Sequence, residues 1–324
     1  MDLWSLSDLA TPWCVHVVAT LDIAAHIDHG RAQISEIAEA CGADPDSLLR
    51  VMRHLIEKGL FEEPEPGRFA LNDLARGLLS PGTRLGLNLD GFGGRMAHAW
   101  GTMLEAVRTG KPAYSQAFGR DYWRDLEAHP EIAAQFDALM GPAGHGTPDP
   151  RVLIDASDWK EVRTVVDVGG GTGSLLAEVL RAQPHVRGIL VDLPRTAARS
   201  RPIFEAAGVT ERVSVSAQSF FDPLPAGHDV YTLNKVLGDW PDHDAELLLR
   251  RCADAARPHG RVLVLNGVTP GEVAPPELLM MVLVGGKERT LDEFRGLAAK
   301  AGLAVHQTER QESGRFIVEC RPQP

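Results

Sequence analysis

Two acids and a run of glycines carry the most legible chemistry in this chain. Asp167-Val-Gly169-Gly170-Gly171-Thr-Gly173 puts a carboxylate beside backbone stripped of side chains. Gly188-Ile-Leu-Val-Asp192-Leu-Pro194 sets a second carboxylate at the end of another apolar run. Glycines after a strand let a ligand approach bare peptide at a helix N-terminus, and an acid one strand over can accept both hydroxyls of a ribose. The pair therefore points to an adenosine-bearing ligand, without saying which. It is not the dinucleotide fingerprint, because the third glycine position counted from Gly169 is Ser174. No Gly-Lys-Ser or Gly-Lys-Thr is present to cradle a triphosphate. Two plainer readings stand beside this one. The glycines could be only a tight connection, and Asp192 could cap a helix running from Pro194 to Ala207.

The elements that must hold these residues follow from hydrophobic period. Thr164 to Val168 is a β-branched run suited to a strand buried on both faces of a parallel sheet, and a helical pattern opens at Ser174. Further strands are expected at Arg212–Ala217, Asp229–Asn234 and Gly260–Asn266. Helices fit about Asp244–Ala256 and Leu291–Ala301, and Leu303–Thr308 with Arg315–Cys320 can close the sheet as an antiparallel pair. The fold class is α/β.

Upstream the pattern is helical. Residues 1 to about 27 are amphipathic, with a break expected at Thr11-Pro12 and with Leu3, Trp4, Leu6 and Leu9 among the apolar members. A helix from Ile34, a turn at Gly42–Pro45 and a helix from Ser47 to Lys58 lead to a two-stranded wing, Leu60 to Leu71, tipped by Pro-Glu-Pro-Gly67. Helix, turn, helix, wing is also a DNA-binding plan, offering Arg50, Arg53, His54 and Lys58 to a groove. Glu62, Glu63 and Glu65 on the wing would repel the phosphate backbone, so the module reads as a dimerisation scaffold. From Gly91 to Met140, residues such as Trp100, Met103, Phe136 and Met140 recur at helical spacing. They fit a core, or an apolar ligand pocket to which Met281 and Gly238 also belong. Gly141–Pro150 reads as a linker or a mobile lid.

Composition narrows the classes. At 324 residues, two domains are expected, and a formal charge of -11 argues against a nucleic-acid surface. Cys14, Cys41, Cys252 and Cys320 are scattered, with neither a Cys-x-x-Cys nor a His pair at ligand spacing, so reduced thiols and no metal are expected. No apolar run reaches membrane length, and Asp2 and Asp8 stand where a signal peptide wants positive charge. The expected location is cytoplasmic.

Taken together, Val166-Asp-Val-Gly-Gly-Gly-Thr-Gly173, Val191-Asp-Leu-Pro194, Ser219-Phe-Phe-Asp-Pro-Leu-Pro225, Val236-Leu-Gly-Asp-Trp240 and Gly285-Gly-Lys-Glu-Arg-Thr290 resemble the small-molecule O-methyltransferases of plant phenolic and bacterial antibiotic-tailoring metabolism. The resemblance runs over nearly the whole chain. It implies a class I methyltransferase fold, a Rossmann-like sheet in 151–324, behind a mostly α-helical winged-helix dimerisation domain in 1–90 and a helical substrate-pocket region in 91–150. It implies S-adenosylmethionine as cofactor, a small aromatic or polyketide-like acceptor, and a homodimer. Carried over by position, Asp167, Gly169 and Gly171 serve the methionine part, Asp192 the ribose, Ser219 and Phe220 the adenine, Asn234 the methionine end and Trp240 the adenosine. The family's general base is a histidine directly before the Asp-Trp pair; here that position is Gly238. The acid that steadies it at the end of the fifth strand is here Asn266, while Glu288 keeps a family carboxylate. His145, His243 or Glu288 could serve as base instead. Alternatively the acceptor arrives ionised or as an amine, or the cofactor serves a hydroxylation, decarboxylation or pericyclic step.

Overall fold

The structure, a computed structural model, describes residues 2–140, 151–154, 159–311 and 315–323. They divide into two compact units. One joins residues up to His98 with the helix Pro130–Met140; the other joins Ala99–Ala128 with the chain from Arg151 onward. Gly141–Pro150, and His145 with it, lies outside the described residues.

The first unit is helical around one small hairpin. Helices Ala10–Thr20, Ile23–Asp28, Ile34–Cys41 and Pro45–Glu57 bury Val18, Ile23, Ile37, Met52 and Leu55 together with Phe61 and Phe69. Pro45 occupies the first turn of its helix, and Asp44 caps it by accepting from Ser47 N–H at 2.8 Å. Strands β1 (Glu62–Glu65) and β2 (Arg68–Ala70) form the wing, antiparallel. The expected break at Thr11-Pro12 does not occur, since Pro12 lies in the first turn of Ala10–Thr20, where backbone N–H groups have no helical partner to lose. The chain bends before it, at Ser7–Leu9, and again at Leu21-Asp22.

The second unit is built on seven strands. β3 (Thr164–Val168), β4 (Arg187–Asp192), β5 (Val213–Ala217), β6 (Val230–Asn234) and β7 (Arg261–Leu265) run parallel. Two short strands, β8 (Val268–Thr269) and β9 (Arg289–Thr290), pair apart from them. β10 (Leu303–Arg310) and β11 (Phe316–Pro322) complete the sheet in the order β10-β11-β7-β6-β3-β4-β5, with β11 antiparallel to both neighbours. Alternation along β3 sends Val166 to one core, with Tyr231, Leu248 and Phe294, and Val165 to the other, with Leu176, Leu180 and Leu190. Each such apolar side chain contributes about 1.5–3 kcal/mol on burial. Register aligns Asp167 with Thr232 on one side and Leu190 on the other, and Asp192 with Ala217. The carboxyl ends of the parallel strands therefore gather at one rim, on both sides of the point where strand order reverses at β3. The single helix expected from Pro194 to Ala207 is two, Pro194–Ala197 and Arg201–Ala206, the second restarting with Pro202 in its first turn.

Candidate active site

At the end of β3 the backbone must turn where L side chains do not fit. Gly169, Gly171 and Gly173 take φ of 69°, 62° and 82°. A Cβ at Gly169 would stand 2.8 Å from Val236 Cγ2, and one at Gly173 would strike the Phe204 ring. At Gly171 nothing stands within 4 Å, so the turn is open there. Gly171 N–H donates to Asp192 Oδ2 at 2.8 Å, and Leu193 N–H donates to Oδ1 at 2.8 Å. Asp192 thus faces the glycine turn and does not cap the next helix, whose N-cap is Leu193. Asp167 is sealed beneath, 2% exposed. Thr232 Oγ1 donates to its Oδ1 at 2.7 Å, while Oδ2 lies under Gly170 with no hydrogen-bond partner among the described residues. Burial pushes its carboxyl up to about 6, and the Thr232 hydroxyl pulls the other way.

After β5, Ser219 Oγ accepts from Phe221 N–H at 3.2 Å. Phe220 meets Trp240 edge-on at 5.8 Å between centroids, and Phe221 meets it at 4.8 Å, 89°. Trp123 stacks on Trp240 at 5.7 Å and 19°. The Phe220 ring also comes within reach of a Cβ placed on Gly169, so this aromatic group and the glycine turn are neighbours. A cradle that side chains would fill, an anionic carboxylate on its rim and aromatic edges beside it fit an adenosyl ligand.

Beyond β6, Asn234 Oδ1 accepts from Asn266 Nδ2 at 3.2 Å, with Asn266 at φ 66°. Gly238 lies in the 3-10 turn Leu237–Asp239, and a Cβ there would meet only Gly267 Cα, at 3.7 Å. Gly286 presses on Gly238 O and on the Asp239 backbone too closely for any side chain. Arg289, 1% exposed, donates to Leu237 O at 3.2 Å, Trp240 O at 2.8 Å, Lys287 O at 3.1 Å and Asp242 Oδ1 at 2.9 Å. Glu288 is half-buried, and burial first, then Glu277, raises its carboxyl above the usual range. His243 projects from the helix Asp242–Ala256, 91% exposed, with Nδ1 at 3.2 Å from Asp244 Oδ1. Of the apolar set, the helix Leu278–Leu283 that carries Met281 packs against the segments that carry Trp100 and Met103. Phe136, tilted against Phe92 at 5.3 Å and 56°, and the exposed Met140 belong to the other unit.

Three residues here escape a reading of the sequence alone. Thr232 had a signal, a lone hydroxyl in an apolar strand. Asp239 and Arg289 lay inside recognisable segments, but the desolvation of one and the burial of the other are not written in residue order.

Residues 100–304 match the O-methyltransferase domain family, and residues 4–81 match the O-methyltransferase dimerisation domain. The chain is 42% identical over 308 residues to a 2,7-dihydroxy-5-methyl-1-naphthoate 7-O-methyltransferase of Streptomyces carzinostaticus, covering 94% of this chain and 92% of that protein. It is 39% identical over 318 residues to the aclacinomycin 10-hydroxylase RdmB of Streptomyces purpurascens, covering 94% and 84%. Among solved structures it superposes at a TM-score of 0.92, with 40% identity and 99% of each chain covered, on an O-methyltransferase of neocarzinostatin biosynthesis bound to S-adenosyl-L-homocysteine and 1,4-dihydroxy-2-naphthoic acid. With a glycine cradle and a strand-end acid that suit S-adenosylmethionine, and with both family domains in order, this chain belongs to the S-adenosylmethionine-dependent O-methyltransferases.

Proposed function

We propose that the chain methylates a hydroxyl of a small hydroxylated aromatic, polyketide-like metabolite in antibiotic-type secondary metabolism, and that it works in the cytoplasm as a homodimer. The observation that carries the reading is the Asp192 carboxylate held against Gly171 N–H at the mouth of the glycine turn. When bound, S-adenosylmethionine supplies an electrophilic sulfonium methyl. Asp192 receives the ribose hydroxyls, Gly169 and Gly171 leave room for the methionine part, and Asn234 stands near its end. Asp167 shores up the turn from below. Ser219, Phe220 and Trp240 take the adenosine side. Trp100, Met103, Met281 and Gly238 serve the acceptor.

The relatives support an aromatic acceptor by their names, one a naphthoate O-methyltransferase and one crystallised with a dihydroxynaphthoic acid. Gly238 leaves the chain without the histidine of the family it resembles. General-base help is worth about 10²–10⁴-fold, whereas orientation of two bound reactants reaches effective molarities of roughly 10⁵–10⁸ M, so proximity is the larger rate term. Glu288 keeps a family carboxylate near this turn; His243, turned to solvent, is less suited, and His145 is outside the described residues.

By domains, 1–90 serves pairing, 91–150 the acceptor and 151–324 the cofactor. Leu3, Trp4, Leu6 and Leu9 are all exposed, and a second copy would cover them. The four basic residues a DNA groove would need are already engaged: Arg50 with Asp46, Arg53 with Glu63, Lys58 with Asp8 and His54 with Thr11. Among the described residues, no helix is long and apolar enough to cross a membrane.

Incubation with methyl-labelled S-adenosylmethionine and a panel of hydroxynaphthoic acids tests the reading. Label is expected in an O-methylated product. A product gaining one oxygen, or any product formed with the cofactor unconsumed, would refute it.

A further inference from the structure

Beside the side-chain-free position at Gly238 stands a carboxylate that none of the described residues engages. Asp239 ends the turn Leu237–Asp239, its N–H donating to Val236 O at 3.2 Å. Its carboxylate accepts no hydrogen bond among the described residues, although three other acids of this unit are engaged. Asp242 holds Arg289 and Lys287, Asp244 meets His243, and Asp167 takes the Thr232 hydroxyl. With no protein donor among the described residues, that carboxylate is free to accept from a bound molecule. Unlike Asp167, it remains partly accessible.

The turn that presents it has one shape. Arg289 pins the carbonyl on each side of the Gly238–Asp239 pair, Leu237 O at 3.2 Å and Trp240 O at 2.8 Å. Gly286 packs directly on the Gly238 carbonyl and the Asp239 backbone. Above Gly238 the first ordinary contact a side chain would make is Gly267 Cα, so the volume a histidine would fill is open next to the acid.

We propose that Asp239 is the proton acceptor for the hydroxyl being methylated, standing in for a histidine at position 238; this rests on the methyl-transfer reading above. The acceptor O–H gives its proton to the Asp239 carboxylate while the oxygen pair forms the bond to the methyl carbon. The C–S bonding pair stays on sulfur, which leaves as a neutral thioether, and Asp239 later loses its proton to water. An anion and a cation become two neutral groups, a change that partial burial of the carboxylate favours.

The electrostatics agree with the geometry. Burial alone raises the Asp239 carboxyl to about 7. The charged groups on the facing segment do not offset it, since Arg289 and Lys287 are spent on Asp242, and Glu288 feels Glu277. A base poised near the working pH is the most effective one for a phenol of pKa ~10.

Three measurements on the full-length protein test this. The wild-type kcat should rise about tenfold per pH unit below 7 and level above it; a flat profile from about pH 5.5 to 8.5 overturns the proposal. Asp239→Asn should lower kcat about 100-fold or more and keep S-adenosyl-L-homocysteine affinity within about threefold; a kcat within threefold of wild type overturns it. The third readout needs no turnover. With S-adenosyl-L-homocysteine bound, affinity for 2-naphthol, a probe without a carboxylate, should strengthen as pH rises through about 7 in the wild type, and the inflection should vanish in Asp239→Asn. An inflection that survives the substitution overturns the assignment. One that vanishes in a protein that methylates nothing upholds Asp239 as the acceptor's partner and refutes methyl transfer instead.

Discussion

Asp192 and Asp167 show how one residue type takes opposite duties according to solvation. Asp192 keeps its charge at the rim, where two backbone N–H groups at 2.8 Å already favour the anion. Asp192→Asn retains one acceptor oxygen and loses the charge. Calorimetry should find S-adenosyl-L-homocysteine bound about 10- to 100-fold more weakly, the range for hydrogen bonds to a charged group. Asp167 is buried with one oxygen unmatched, and its folded pKa of about 6 lies above the ordinary 3.8. The folded state therefore binds the proton more tightly than the unfolded one. Its favourable contribution is complete below about pH 4 and is lost as pH rises through about 6. Urea titrations between those values should show stability falling with pH in the wild type and a shallower fall in Asp167→Asn. Gly238 makes a third case. With only Gly267 Cα at 3.7 Å, Gly238→His should fold and melt within a few degrees of the wild type. On a plain phenol it should leave turnover within a few-fold of the wild type, because Asp239 already takes the proton; a rise of about 100-fold would mean that no base is in place.

At the scale of elements, short segments do the positioning. β9 is two residues long, yet its Arg289 reaches three carbonyls and Asp242 and so ties Leu237–Asp242 to the segment after the helix Leu278–Leu283. A lysine at 289 offers a point charge where a planar fork is required, and it leaves buried carbonyls unmatched. Arg289→Lys should destabilise the protein by about 2–3 kcal/mol in denaturant titration, the cost of one or two orphaned acceptors. It should lower kcat more than it weakens S-adenosyl-L-homocysteine binding, because the turn at Gly238 loosens while the glycine cradle after β3 does not. Equal losses in both would show that the two elements are not independent. The elements themselves were largely readable: all five parallel strands and the antiparallel pair lie within a few residues of their expected ranges, because buried parallel strands are written as apolar runs and the edge strand β5 as an alternation of valine and serine. Helix ends were less so, as at Pro12 and at the split near Arg201, where proline position within the first turn decided the outcome.

For the molecule as a whole, the front unit presents an apolar face, Leu3, Trp4, Leu6 and Leu9, that a lone chain would leave in water. Replacing Leu6 and Leu9 by aspartate should shift light-scattering mass from dimer toward monomer, with the second unit's S-adenosyl-L-homocysteine affinity unchanged; an unaltered mass would place the pairing surface elsewhere. By itself, the order of residues determined the family and its cofactor, because glycines, strand-end acids and apolar runs act through local geometry that any similar chain must share. Only the folded chain decided which carboxylate is sealed and which is open, that Asp239 has no donor among the described residues, and that an arginine in a six-residue segment locks the turn before it. Those properties depend on desolvation and on partners far apart in sequence, and both arise only when the sheet brings its carboxyl ends together.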